Sequence, residues 1–131
     1  MDIEVTSEVV ATLLAAAARA APAECCGLLL GREGRIVEAR PAENVSAEPL
    51  VRFEIDPAAL FAAHRAARAG GPELIGYYHS HPAGHPRPSA TDCEHASGDE
   101  RAWAIVARGA VAFWRDGKTG FEPLSHCVVD D

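Results

Sequence analysis

The stretch LIGYYHSHPAGHPRPSATD, residues 74–92, carries two imidazoles one residue apart and then, beyond a proline-rich loop, a serine and an aspartate. Residues 74–78 are apolar and aromatic, as a buried strand requires, and Pro82 ends any strand that continues through His79 and His81. In extended backbone, side chains two positions apart point to the same side, so His79 and His81 present two ring nitrogens in one direction. Residues 83–88 form a Gly/Pro loop, after which Ser89 and Asp92 stand at capping-box spacing and predict a short helix over 90–96. A carboxylate in the first turn of that helix can swing back toward the imidazoles. Two histidine nitrogens and one aspartate oxygen form a set that zinc accepts, with the fourth tetrahedral position left to water, as in catalytic sites. His79, His81 and Asp92 are therefore the expected zinc ligands.

Outward from this stretch, the pattern alternates between strands and helices. Residues 3–5 read as a short strand, and Thr6 or Ser7 can cap a helix with Val9, Val10, Leu13, Leu14 and Ala17 at helical spacing, closed by Pro22. The apolar run 27–32 and the segment 35–38, joined by Glu33-Gly34, predict a hairpin. Residues 39–50 read as a loop, and 51–55 alternate as a half-buried strand does. Asp56 and Pro57 start a second helix that reaches about Ala69, with Leu60, Phe61, His64 and Ala67 on one face and Gly70-Gly71 beyond it. His64 is expected to pack there rather than to bind metal. Residues 103–107 and 110–115 predict a closing hairpin around Gly109.

Composition narrows the function classes. With 131 residues there is room for one core, so one domain over residues 1–131 is expected. The formal net charge of −7 offers no global attraction for phosphate backbones or anionic lipid, so neither nucleic acid nor membrane is an expected partner. The longest apolar run, residues 9–18, is about half of the ~20 residues a membrane-spanning helix needs. Asp2, Glu4 and Glu8 precede it where a secretory signal has basic residues, and the expected compartment is the cytoplasm. Cys25, Cys26, Cys93 and Cys127 lack both the density of a disulfide framework and any C-x-x-C pair, so they are expected to be reduced and mostly buried.

The spacing His79-Ser80-His81-Pro82, six residues, Ser89, two residues, Asp92 resembles, without gap or substitution, the JAMM motif of the MPN-domain metallopeptidases. Residues 22–31, PAECCGLLLG, are similar to that family's upstream glutamate segment, which precedes a Cys-Gly and an apolar strand. The resemblance extends from about Glu24 to Trp114. It implies an α/β fold: a mixed, strongly curved sheet of about six strands flanked by helices, an architecture broadly shared with cytidine deaminases. It further implies Glu24 as the general acid/base and Ser89 as the donor that steadies the oxyanion, its backbone capping the helix while its hydroxyl faces the metal. His85 is read as a solvent-exposed loop position.

The activity implied is that of a zinc-dependent peptidase or isopeptidase. A general small-peptide hydrolase, a non-catalytic MPN scaffold and a nucleoside deaminase are the competing readings. Scaffold members normally lack ligands of the motif, and deaminases normally use a Cys-x-x-Cys pair that this chain does not contain. Family members that trim polyubiquitin carry inserted segments beside the motif, whereas here ten residues separate Asp92 from Trp103 and seven separate Ala69 from Tyr77. The resemblance to small bacterial members then points to the C-terminal Gly-Gly tail of a ubiquitin-like or sulfur-carrier protein as substrate. Such a tail is expected to lie as an added strand beside the one that ends at His79.

Overall fold

Thr6 ends the first strand, β1 (Ile3–Thr6), and its hydroxyl accepts a hydrogen bond from the Val9 amide at 3.2 Å, which starts α1 (Ser7–Ala20). The computed structural model describes residues 2–130. The chain continues through the hairpin β2 (Cys26–Arg32) and β3 (Arg35–Ala42), α2 (Pro57–Arg68), β4 (Glu73–Ser80), α3 (Ala90–His95), β5 (Ala102–Ala107), β6 (Ala110–Gly117), β7 (Gly120–Pro123) and β8 (His126–Val129). The strands form one mixed sheet in the order β7-β6-β5-β4-β2-β3-β1-β8. β4 runs parallel to β5 and antiparallel to β2.

The uninterrupted apolar run of β2 follows from burial on both faces of the sheet. Leu29 points toward α1 and joins Val5, Val9, Leu13, Ile36, Tyr78 and Phe113. Leu28 and Leu30 point the other way, toward Ala63 of α2, with Cys26, Ile55 and Leu74. β5 behaves alike: Ala102, Ala104 and Val106 belong to the α1 side, and all six of its residues are buried. Gly27 is dictated by close approach, because a Cβ there would collide with the Tyr78 ring and the Arg40 carbonyl.

The structure corrects several expectations. Among the described residues the sheet has eight strands rather than about six, because β7 and β8 add mostly exposed edges whose short, weakly apolar sequences carry little pattern. β3 runs to Ala42, past Pro41. The proline is tolerated because β1 pairs with β3 only at Arg35 and Ile36, so the missing N–H interrupts no ladder on that side. Residues 51–55 are not a strand. Only Ile55 forms an isolated bridge, to Asn44, while the Arg52 carbonyl and Glu54 amide bond the Asn44 side chain instead. On α2 the face toward the sheet centres on Ala63, with Ala59 and Leu60 beside it. Phe61 is 62% exposed and lies under the Arg65 guanidinium. Among the cysteines only Cys26 is buried. Cys25 is half-buried, Cys93 and Cys127 are exposed, and all four are free thiols. No helix among the described residues is long and apolar enough to cross a membrane.

Candidate metal centre

The site forms where β4 runs out. Cys26 of β2 stands opposite His79, and one pair further on, the Cys25 amide donates to Ser80 Oγ at 2.9 Å while the Ser80 amide donates to the Cys25 carbonyl at 3.2 Å. Continuing this register sets Glu24 opposite His81. His79 is fully buried on the α2 side of the sheet, stacked on Phe53 with ring centroids 4.2 Å apart and met edge-on by Trp103 at 5.5 Å. This aromatic clamp fixes the ring even though its Nδ1 has no hydrogen-bond partner.

His81 continues the extended path, its amide donating to the Val106 carbonyl at 2.8 Å. Its Nδ1 lies 2.7 Å from the His85 carbonyl, which places a proton on Nδ1; the neutral ring then carries its lone pair on Nε2, whereas the protonated ring donates from Nε2 to Asp92. The His85 ring is exposed as expected, but its main-chain carbonyl serves the site, a role invisible in the residue type.

Asp92 arrives from the third position of α3. Its Oδ2 accepts the Ser89 amide at 2.9 Å, and Ser89 Oγ accepts the Asp92 amide at 3.1 Å, completing a capping box. The expected division of labour at Ser89 is therefore reversed: the hydroxyl is the cap, and the backbone N–H orients the Asp92 carboxylate. Because the hydroxyl acts there as acceptor, its own proton remains free to be donated into the cleft.

The donor atoms converge. His79 Nε2 and His81 Nε2 are 3.0 Å apart, and Asp92 Oδ2 lies 3.2 Å from the first and 3.1 Å from the second. Around a tetrahedral ion with bonds of about 2.0–2.1 Å, neighbouring ligand atoms sit about 3.3 Å apart. The three side chains thus already hold nearly the spacing that a metal ion needs, and His79, His81 and Asp92 fit a metal site.

Electrostatics differ among the three side chains. Burial works against the Asp92 carboxylate, but hydrogen bonds with His79 and His81 and from the Ser89 amide outweigh it and hold its pKa far below the usual carboxylate range. Burial pushes the His79 pKa down against the pull of Asp92, favouring the neutral imidazole that binds metal. His81 is moved upward: burial opposes its charge, yet Asp92, the His85 carbonyl and Glu24 prevail.

Glu24 is 8% exposed, and burial raises its carboxyl pKa from 4.5 to about 7, with His81 opposing and Asp92 reinforcing the shift. With His81 and Ser89 it lines a cleft of about 370 Å³, walled on another side by Leu50 and Val51. An acid whose folded pKa is raised favours the fold at low pH, and that contribution is lost between about pH 4.5 and 7. In the metal-free protein, Glu24→Gln should therefore melt together with wild type near pH 4.5 and on the order of 10 °C above it at pH 8. Equal melting temperatures at both pH values, read by circular dichroism, would contradict this environment for Glu24.

The remaining polar candidates divide. Arg87 lines the cleft, Cys93, Glu94 and His95 are exposed on α3, and half-buried His64 on α2 is not among the residues of the cluster. Phe53, Trp103 and Asn44 support the site without having been singled out from the sequence. Only Phe53 left a trace there, as the apolar centre of the alternation in 51–55. The expected seat of a substrate strand is also corrected: β4 is paired on both sides, by β2 and β5, and has no free edge.

Residues 6–117 match the family model described as prokaryotic homologs of the JAB domain. The chain is similar to a desampylase of Haloferax volcanii, 45% identical over 78 residues, which cover 58% of this chain and 56% of the relative. It is also similar to a probable TtuB-protein conjugate cleaving protease of Thermus thermophilus, 40% identical over 103 residues, covering 79% of this chain and 64% of that one. The aligned parts thus span between about half and two thirds of these relatives' lengths. A protein of Desulfitobacterium hafniense solved in solution superposes with a TM-score of 0.86 at 28% identity, covering 98% of this chain and 94% of its own.

Proposed function

This chain belongs to the family of prokaryotic homologs of the JAB domain, and from that premise we propose that it is a zinc-dependent isopeptidase. Its proposed substrate is the amide bond at the C-terminal Gly-Gly tail of a ubiquitin-like or sulfur-carrier protein. The observation that carries the reading is one cleft in which the ligand His81, tied to His79 and Asp92, faces Glu24 and Ser89. The similarity to a protease that cleaves protein conjugates supports a conjugate as substrate. The proposed compartment is the cytoplasm, in keeping with four free thiols.

Zinc held by His79, His81 and Asp92 would supply a Lewis acid that polarises the scissile carbonyl and acidifies a water. Glu24, with a pKa of about 7, is suited to take a proton from the attacking water and pass it to the leaving amine as the C–N bond breaks. The Ser89 hydroxyl donates to the carbonyl oxygen as negative charge builds there. Ser89→Ala should lower kcat by about 10²–10³-fold with zinc retained. A loss confined to melting temperature would reduce Ser89 to a helix cap.

A Gly-Gly tail suits this cleft because it has no side chains to clash beside the buried ligands. The proposal is tested by intact mass on a carrier joined to a second protein through its terminal glycine. Changing the carrier's penultimate Gly to Trp should abolish cleavage. Equal processing of the Trp form, or equal cutting of short unrelated peptides, would replace this reading with a general small-peptide hydrolase.

A further inference from the structure

Asn44 lies at the foot of β3, outside the metal cluster, yet its side chain uses its whole hydrogen-bonding capacity on four main-chain groups. Nδ2 donates to the carbonyls of Glu24 and Arg52, both at 3.1 Å. Oδ1 accepts the amides of Ser46 at 3.1 Å and Glu54 at 3.0 Å. A primary amide offers two donors and one oxygen with two lone pairs, so nothing is left over.

Three of these bonds hold the irregular segment 45–54 in place of a strand partner. The fourth does not serve the loop: it crosses to residue 24. The same segment returns the contact at its far end, where the Pro49 carbonyl accepts the Glu24 amide at 2.8 Å. Both main-chain polar groups of Glu24 are therefore held by one loop with Asn44 at its hub. Next to Pro49, Leu50 and Val51 line the same cleft as Glu24, so the hub also places part of the cleft lining.

We propose that Asn44 is a positioning residue that fixes the Glu24 carboxylate, and the part of the cleft lining next to Pro49, relative to the metal ligands. The inference rests on the isopeptidase reading for its kinetic consequence but not for its structural one. Misplacing a reacting group by about 1 Å can cost ~10²-fold in rate. The Asn44 side chain makes no hydrogen bond to β4, α3 or residues 82–88, which carry the ligands, and Phe53, which stacks on His79, keeps the Glu54 amide bond beside it when Asn44 becomes Asp.

The test uses the full zinc-loaded chain and Asn44→Asp. A carboxylate still accepts the Ser46 and Glu54 amides but cannot donate to Glu24 or Arg52. Expected are unchanged zinc stoichiometry, kcat on the carrier conjugate lowered about 10- to 100-fold, KM within about threefold, and amide exchange at Glu24 at least about tenfold faster, with His79 and His81 amides unmoved. Ser46→Ala, which removes only the Ser46 Oγ contact to the Glu48 amide, should leave kcat unchanged. A melting temperature lowered with kcat within twofold of wild type, or loss of zinc from a folded Asn44→Asp protein, would overturn the proposal. If the wild-type chain cleaves no conjugate, the isopeptidase reading fails separately. The exchange measurement then decides alone: faster exchange confined to residues 24 and 45–54 supports the clamp, and unchanged exchange at Glu24 refutes it.

Discussion

Replacing His79 and His81 together by alanine should take the protein from one bound zinc per chain to essentially none. Both nitrogens lie within 3.2 Å of the one Asp92 oxygen, so the pair supplies two of the three donors, and a lone carboxylate does not retain zinc through dialysis. The substitution also carries a folding cost. His79 fills the space between Phe53 and Trp103, and truncating a buried ring removes about 3–5 kcal/mol, so circular dichroism must show that the variant is folded. His81→Ala alone, nearer the cleft, should weaken zinc strongly at smaller cost in stability. Stoichiometric zinc in a folded double variant would refute the ligand assignment.

Glu24→Gln should separate binding from turnover. The glutamine keeps the size of the side chain and removes only its ability to accept and return a proton, so zinc content and fold persist. Positioned general acid/base groups contribute about 10²–10⁴-fold, and kcat should fall within that range. In the wild type, the basic form of Glu24 is lost as pH falls, so activity should decline on the acid side, at a pH that a bound cation sets below the value of about 7 for the metal-free chain. Glu24→Gln should lose that limb from its residual rate. A variant that turns over at the wild-type rate would remove Glu24 from the mechanism.

The convergence of His79, His81 and Asp92 was legible because it depends on short-range rules. Alternation along an extended segment brings His79 and His81 together, and the capping-box spacing of Ser89 and Asp92 places the carboxylate in a first turn. The first two helices were legible for a similar reason, since each carries its own cap and stop, whereas the mixed sheet followed from the family resemblance. Where partners are distant in sequence, the pattern misled. The alternation of 51–55 arises from Phe53 stacking on His79 and Ile55 entering the core, while the backbone there bonds the Asn44 side chain and nearby loop groups rather than a neighbouring strand. β7 and β8 complete the sheet at its edges and carry little burial to imprint a period. At Ser89 the sequence could not say which of its two polar groups caps the helix. Sequence alone also could not show that β4 is enclosed on both sides, which closes the expected route for a substrate strand.

The most direct test is the intact mass of a carrier conjugate incubated with the zinc-loaded chain, with the same chain stripped by chelator, and with the stripped chain given zinc again. The account predicts two products whose masses sum to the conjugate plus one water, with the carrier ending at its terminal Gly-Gly. It also predicts that cleavage vanishes on stripping and returns with zinc. Cleavage at the same rate by the stripped chain, or an intact conjugate in all three samples, would contradict it.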